Sequence, residues 1–224
     1  MDDCNPVVIL MEINAKLEIE IKEELANSTL FKQVVGSLRY LCNTRSDICY
    51  SLRVVSRFME RPKHSHWLVV KRIMRYIQGT IGHGIMFATY LKHENKDLVG
   101  YSDWCGDKNH RRSTSEYVFK FMKSLAWSSK KPHVITLSSC EAEYIVGSYA
   151  ACQALWPIPL MIDNISTINL AKNFVSHGRS KHIEAMVHFL RDQVGRSKLK
   201  LIYCQTEVQL ADIMTKVLRT SRFE

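Results

Sequence analysis

The stretch LSSCEAEYI, residues 137–145, decides how the rest of this chain is interpreted. Ser138 followed three residues later by Glu141 is a capping-box pattern, which predicts the start of a helix. An ionised acid next to apolar surface is costly unless it is paired or bound to a metal, so Glu143 is a candidate for a site where other acids converge. The helix has one apolar face at helical spacing, formed by Ala142, Ile145, Val146, Tyr149, Cys152 and Leu155.

Size and composition are those of a globular protein. The chain has 224 residues, 46% hydrophobic and 24% charged, which suits one large domain or two small ones with a real core. Lys and Arg outnumber Asp and Glu by 31 to 22, for a net charge of +9. That balance favours a polyanionic partner such as nucleic acid, or an acidic membrane surface. The alternative is a basic soluble protein that binds no polyanion, for which the same net charge is also ordinary.

Cysteine usage and hydropathy indicate the compartment. The seven cysteines are odd in number and never spaced as C-x-x-C, which argues against a zinc site or a disulfide framework. No apolar run approaches the roughly 20 residues of a membrane span. The N-terminus also lacks the basic region of a signal peptide. We expect a soluble protein of the cytoplasm or nucleus, with no membrane partner.

The chain divides into three parts. Residues 1–30 are acidic and predict a loosely ordered lead-in, whereas residues 31–90 have helical periodicity. In the third predicted helix, capped by Ser65, the basic residues that lie off the apolar face are Lys63, Lys71, Arg72 and Arg75. They form either a solvated surface or a contact surface for a phosphate backbone. The apolar face itself is predicted to consist of Trp67, Val70, Met74 and Ile77.

Residues 97–224 have the alternation of a sheet domain. The predicted element order is β-β-β-α-β-α-α-β-α, so we expect an α/β fold with a mixed five-stranded sheet and flanking helices. A small helical segment precedes it. Thr206 and Gln209 form a second capping-box pattern, which predicts the start of the last helix.

Four acids lie at predicted element ends in this domain: Asp103, Glu143, Asp163 and Asp212. If the first and fourth strands run parallel, as a helical crossover favours, these acids face one rim of the sheet. Carboxylates gathered there raise one another's pKa, and two hard cations such as Mg²⁺ relieve that repulsion. The alternative is that local turn and helix-dipole preferences place each acid independently.

Motifs throughout the chain resemble the C-terminal part of the Pol polyprotein of copia-type retrotransposons. The helical part is similar to the segment that follows the reverse transcriptase palm, on FKQVVGSL (31–38), TRSDI (44–48) and KRIMRY (71–76). The sheet part is similar to the ribonuclease H domain, on GYSD (100–103), RSTS (112–115), WSSKK (127–131), EAEY (141–144), DN (163–164), SKHI (180–183) and ADIMTK (211–216).

The resemblance implies a ribonuclease H-like fold and hydrolysis of the RNA strand of RNA–DNA hybrids by a two-metal mechanism. It assigns Asp103, Glu143, Asp163 and Asp212 as catalytic and metal-binding residues, with two Mg²⁺ ions, or Mn²⁺ in their place, as cofactors. An upstream polymerase domain is the implied protein partner. The residues suited to contacting the backbone of the hybrid are Arg111, Arg112, Lys130, Lys131, Arg179, Lys181 and His182.

The chain departs from the family pattern at three places. Where the family has Ser-Asp-Ala-Asp-Trp, this chain has Ser102-Asp103-Trp104, so Asp103 is taken as the first ligand and Asp107 as a poor substitute. Glu116 replaces a usual glycine in the second strand.

The segment before Asp163 is also about a dozen residues shorter than usual. A helix from Glu143 to Trp156 travels roughly 20 Å, and residues 157–163 return roughly 23 Å only when extended. We therefore expect a strained or frayed fourth strand. The alternative functions are a catalytically decayed remnant that binds nucleic acid or retains no activity, and a purely structural partner of a polymerase chain.

Overall fold

The computed structural model describes residues 5–11, 17, 23–83, 98–105, 114–121, 124–130, 134–154, 157–173 and 183–216. The chain forms two compact units. The first, the helical unit, comprises residues 1–85 with 216–224, and the second, the sheet unit, comprises residues 86–215. The predicted boundaries at residues 30, 90 and 97 stay a prediction.

The helical unit contains α1 (Ser28–Leu41), α2 (Cys49–Ser56) and α3 (His64–Gly79). The Asn27 side chain caps α1 by accepting a hydrogen bond from the backbone N–H of Leu30 at 3.0 Å. The predicted cap of α3 is wrong, because Lys63 and not Ser65 precedes the helix. The buried residues of α3 are His66, Val70, Ile73 and Tyr76, while Trp67, Met74 and Ile77 are partly buried beside them.

The N-terminal segment contributes to the core of the helical unit. Leu10, Met11 and Leu17, within the part predicted as a loose lead-in, are 2%, 5% and 8% exposed. Arg72 Nε donates to the backbone carbonyl of Ile9 at 2.9 Å, and Arg75 Nε donates to that of Asn5 at 2.6 Å. These two arginines therefore hold the segment along α3.

The sheet unit has the predicted α/β architecture. Its sheet has five strands in the order β3-β2-β1-β4-β5. The β1–β2 and β2–β3 pairs are antiparallel, and β4 is parallel to both β1 and β5. The elements, in the predicted order, are β1 (Leu98–Cys105), β2 (Thr114–Phe121), β3 (Ser124–Lys130), α4 (Ser139–Gln153), β4 (Ile158–Ile162), α5 (Ile165–Lys172), α6 (Glu184–Gly195), β5 (Leu199–Tyr203) and α7 (Asp212–Thr215).

Strand β4 is regular, so the expectation of a frayed fourth strand is wrong. All five of its residues pair with β5, and Leu160 and Met161 also pair with β1. The reason is that α4 ends at Gln153, short of Trp156, so the chain has less distance to return. A Cβ at Gly100 would lie 2.9 Å from Leu160 Cδ1, so the glycine permits β1 and β4 to pack closely.

Helix α4 is more deeply buried than one apolar face predicts. Its residues 141–148 are all buried, as expected for a helix covered on most sides. The Tyr144 hydroxyl donates to the Val187 carbonyl at 3.0 Å, and the Ser148 hydroxyl is 3.2 Å from the Met186 carbonyl. These contacts join α4 to α6. In the part of the chain that the structure describes, no helix combines the length and apolar character of a membrane span.

Candidate metal centre

Two of the predicted acids meet at one edge of the sheet. Asp103 lies near the end of β1, and Asp163 directly follows β4. Because β1 and β4 are parallel, their carboxyl ends lie at the same edge. Asp103 is 3% exposed, whereas Asp163 is partly exposed.

The third acid of the group comes from α7. Asp212 is the first residue of that helix and is fully buried. One carboxylate oxygen from each of Asp103, Asp163 and Asp212 lies within 4.8 Å of the other two. Three of the four predicted acids are therefore brought together.

Glu143 is buried near this group but is not a member of it. It lies in α4 and is 1% exposed. Burial, and then the charges of Asp163, Asp212, Asp103 and Glu143, raise the pKa of the Cys204 thiol to about 12. All four carboxylates therefore lie close enough to Cys204 to act on one thiol.

The start of α4 is fixed by the predicted capping residues. Ser138 Oγ accepts from the backbone N–H of Glu141 at 3.2 Å, which confirms the capping role of the serine. The Glu141 carboxylate accepts from the N–H of Leu137 at 2.8 Å, one residue before the cap. These bonds fix the turn from which Glu143 projects.

Threonine hydroxyls contact two of the acids. Thr215 Oγ1 donates to Asp103 Oδ2, and Thr206 Oγ1 donates to Asp163 Oδ2 at 3.1 Å. The predicted capping box at Thr206 and Gln209 is wrong, because a short 3₁₀ turn spans Thr206–Val208 and α7 begins at Asp212. The hydroxyl that was expected to cap a helix instead contacts the site.

Sequence reasoning did not include Glu116 in the site. Glu116 is fully buried and is the direct cross-strand partner of Asp103. Directly opposed side chains on paired strands lie on the same face of a sheet, so Glu116 adds a fifth acid next to Asp103. Ser129 Oγ donates to Glu116 Oε1 at 3.0 Å. Its place opposite Asp103 depends on the register of β2 on β1, which the sequence pattern leaves open.

Of the predicted nucleic-acid contacts, the structure describes Lys130, which is exposed at the end of β3. The remaining ones lie outside the described residues, as does Asp107: Arg111, Arg112, Lys131, Arg179, Lys181 and His182.

The donor set at the sheet edge suits a hard divalent cation. All three groups are carboxylates, and Mg²⁺ and Mn²⁺ prefer such oxygen ligands. The short separation of their oxygens fits ligands that share one ion. The residues present are therefore compatible with a divalent metal site.

The chain is similar in sequence to transposon polyproteins. It is 36% identical over 242 residues to the retrovirus-related Pol polyprotein from transposon RE1, and 35% identical over 239 residues to that from transposon RE2, both of Arabidopsis thaliana. These alignments cover 100% and 99% of this chain but only 16% of each relative. No family model matches.

Solved structures similar to the chain include the N-terminal ribonuclease H domain of a Mycobacterium tuberculosis protein. That match has 12% identity and a TM-score of 0.44, and it covers 54% of this chain and 91% of that one. The sequence relatives are the more informative, because over its whole length the chain is homologous to retrovirus-related Pol polyproteins. Within that class its homologues are polyproteins of copia-type transposons, which confirms the predicted resemblance.

Proposed function

We propose that the sheet unit is a ribonuclease H-like endonuclease that hydrolyses the RNA strand of RNA–DNA hybrids within a retrotransposon Pol polyprotein. The observation that carries this proposal is the group formed by Asp103, Asp163 and Asp212, whose oxygens lie within 4.8 Å of one another. Three carboxylates from distant segments meet at one edge of the sheet. Homology to Pol polyproteins supports the same reaction.

In this proposal Asp103, Asp163 and Asp212, with Glu143 beside them, hold two divalent cations. The chemistry that such a pair supplies is activation of water and stabilisation of the leaving oxygen of a phosphodiester. Burial of Asp103, Glu143 and Asp212 restricts water around these carboxylates. Asp163 is partly exposed, so solvent reaches this acid.

The proposal assigns recognition of the substrate to the basic surface. Hybrid duplexes are recognised mainly through shape, phosphates and 2′-hydroxyls, for which Lys and Arg are suited. Lys130 is exposed at the end of β3, the strand that pairs with β2, and β2 in turn pairs with the strand that carries Asp103.

The proposed domains are a lead-in at 1–30, a helical connection segment at 31–90 and the ribonuclease H-like domain at 97–224. The proposed protein partner is an upstream polymerase domain.

A second candidate function is nucleic-acid binding without cleavage. The observation in its favour is Glu116, a buried fifth acid directly opposite Asp103. An additional negative charge at that position changes the electrostatics on which cation binding depends. In this case the basic surface still binds a hybrid, and its affinity falls steeply with salt.

The test is cleavage of a labelled RNA–DNA hybrid by the full chain with Mg²⁺, with duplex DNA as the control substrate. We expect the RNA strand to be cut by the unaltered chain. The cleavage rate of Asp163→Asn should fall by at least about 100-fold, because replacing a residue that only supports a metal ligand already lowers activity about 10- to 100-fold. Asp192→Asn, which removes an exposed acid paired with Arg196 on α6, is the matched control and retains the rate.

The outcomes separate the two candidates. Cleavage that persists in Asp163→Asn refutes the assignment of that ligand. Salt-sensitive binding of the hybrid by the unaltered chain, without cleavage at any Mg²⁺ concentration, favours the second candidate.

A further inference from the structure

Asp103 and Asp212 approach each other although both are acids and both are buried. Asp103 is 3% exposed and Asp212 is fully buried, and their oxygens belong to one group within 4.8 Å. Like charges at this distance repel, more strongly where water is excluded. Other contacts must therefore hold the segment before and within α7 against the end of β1.

Gln209 provides one such contact. Gln209 is 3% exposed, and its side-chain Nε2 donates to the carbonyl of Ser102 at 3.0 Å, across 107 positions in sequence. The same side chain accepts at Oε1 from the N–H of Ala211 at 3.3 Å. Its backbone carbonyl accepts from the N–H of Asp212 at 3.2 Å. Gln209 thus connects the peptide that precedes Asp103 to the peptides that precede Asp212.

Thr215 provides a second contact, at the other end of α7. It is 1% exposed, and its hydroxyl donates to Asp103 Oδ2 across 112 positions in sequence. The same hydroxyl lies 3.3 Å from the backbone carbonyl of Asp212. A carboxylate can accept several hydrogen bonds, so one donor fixes the direction of Asp103 and leaves it further acceptor capacity.

We propose that Gln209 and Thr215 are positioning residues that set the geometry of Asp103 and Asp212 before a cation binds. This inference rests on the proposed metal-dependent function. The electrostatic cost of bringing the two buried acids together is met when the chain folds. Binding of the ion therefore does not have to supply that free energy. Replacing a residue that hydrogen-bonds to a metal ligand, and does not itself bind the metal, typically lowers metal affinity about 10- to 100-fold.

The test measures Mg²⁺ binding to the full chain by titration calorimetry, together with the Mg²⁺ concentration that gives half-maximal hybrid cleavage. Thr215→Val and Gln209→Met keep side-chain size and remove the hydrogen bonds. We expect each to weaken Mg²⁺ binding about 10-fold or more, with kcat largely restored at saturating Mg²⁺. Thr215→Ser keeps the hydroxyl, so it should restore affinity to near that of the unaltered chain.

Ser148→Ala is the matched control, because it removes a buried hydroxyl that contacts Tyr144 and Met186 rather than the acids. It should leave Mg²⁺ affinity unchanged while lowering the unfolding temperature. If Gln209→Met does not fold, the pair Thr215→Val and Thr215→Ser decides the result.

Unaltered Mg²⁺ affinity in Thr215→Val, when the unaltered chain binds the ion, overturns the positioning role and leaves the proposed function intact. Absence of Mg²⁺ binding by the unaltered chain overturns both proposals.

Discussion

The two units of this protein hold acids in different surroundings. In the helical unit, Asp47 accepts from Arg45 Nε at 2.9 Å and from Arg45 Nη2 at 2.6 Å, and the Tyr76 hydroxyl donates to it at 3.0 Å. Arg45 also donates to the backbone carbonyl and the hydroxyl of Thr80. The charge of Asp47 is therefore balanced by the chain itself, and the acid joins α3 to the turn before α2.

In the sheet unit, Asp103 accepts a hydrogen bond from the Thr215 hydroxyl, and Asp163 accepts one from the Thr206 hydroxyl. Three carboxylates share this site, with one oxygen of each within 4.8 Å of the other two. An acid matched by a guanidinium is a structural contact, whereas carboxylates gathered this closely are suited to an added cation. The difference predicts opposite responses to neutralising an acid.

The largest expected effect is in the helical unit. Asp47→Asn leaves the Arg45 guanidinium without its charge partner in a site where both side chains are only 11% exposed. Breaking a buried ion pair from one side typically costs about 3 to 5 kcal/mol, and this partly buried pair should lie at the lower end of that range. We expect the free energy of unfolding, measured by urea denaturation, to fall by that amount.

Asp192→Asn serves as the comparison for that measurement. The Asp192–Arg196 pair is on the surface, with side chains 44% and 65% exposed. Exposed pairs contribute roughly 0 to 1 kcal/mol. A loss in Asp47→Asn no larger than the loss in Asp192→Asn would contradict the structural role of Asp47.

A smaller effect, with a pH dependence, is expected from Tyr76→Phe. The variant removes a hydrogen bond to a charged acceptor, which contributes about 1.5 to 3 kcal/mol. Burial, and then the charge of Asp47, raise the pKa of Tyr76 above its ordinary value. Above about pH 10 the unfolded chain loses the tyrosine proton while the folded chain keeps it, so the folded state loses this stabilisation as pH rises.

The measurement is the difference in free energy of unfolding between the unaltered chain and Tyr76→Phe at pH 7 and above pH 10. The difference should favour the unaltered chain at pH 7 and should shrink at the higher pH. A difference that is constant through this range would mean that Tyr76 has the same pKa in the folded and unfolded states. That result would contradict the retention of its proton by the folded chain above about pH 10.

The order of elements and the positions of three site acids could be predicted from the sequence. Periodicity distinguished helices from strands, and the crossover rule made β1 and β4 parallel. The closeness of Asp103 and Asp163 follows from these two facts alone, because the carboxyl ends of parallel strands lie at the same edge of a sheet. Asp212 required only that the last helix pack at the same edge.

The contacts of Thr206, Gln209 and Glu116 could not be predicted in this way. Thr206 and Gln209 have the spacing of a capping box, but their side chains bind Asp163 and the Ser102 carbonyl instead. These partners are distant in sequence, and local patterns carry no information on which long-range acceptor a side chain will reach. Glu116 required the register of β2 on β1, which a local pattern also leaves open.

The smallest expected change in the free energy of unfolding is in the sheet unit. There, neutralising an acid should stabilise the fold, whereas in the helical unit it should destabilise it. Glu116→Gln neutralises an acid that lies directly opposite Asp103, while its side-chain oxygen can still accept from Ser129. Cross-strand pairs contribute roughly 0.2 to 1 kcal/mol, and like charges on directly opposed residues are destabilising. Without divalent cations, with a chelator present, the free energy of unfolding should therefore increase by about 0.5 kcal/mol. A decrease as large as that of Asp47→Asn would mean that Glu116 is balanced by the chain as Asp47 is, and the contrast between the two units would not extend to this residue.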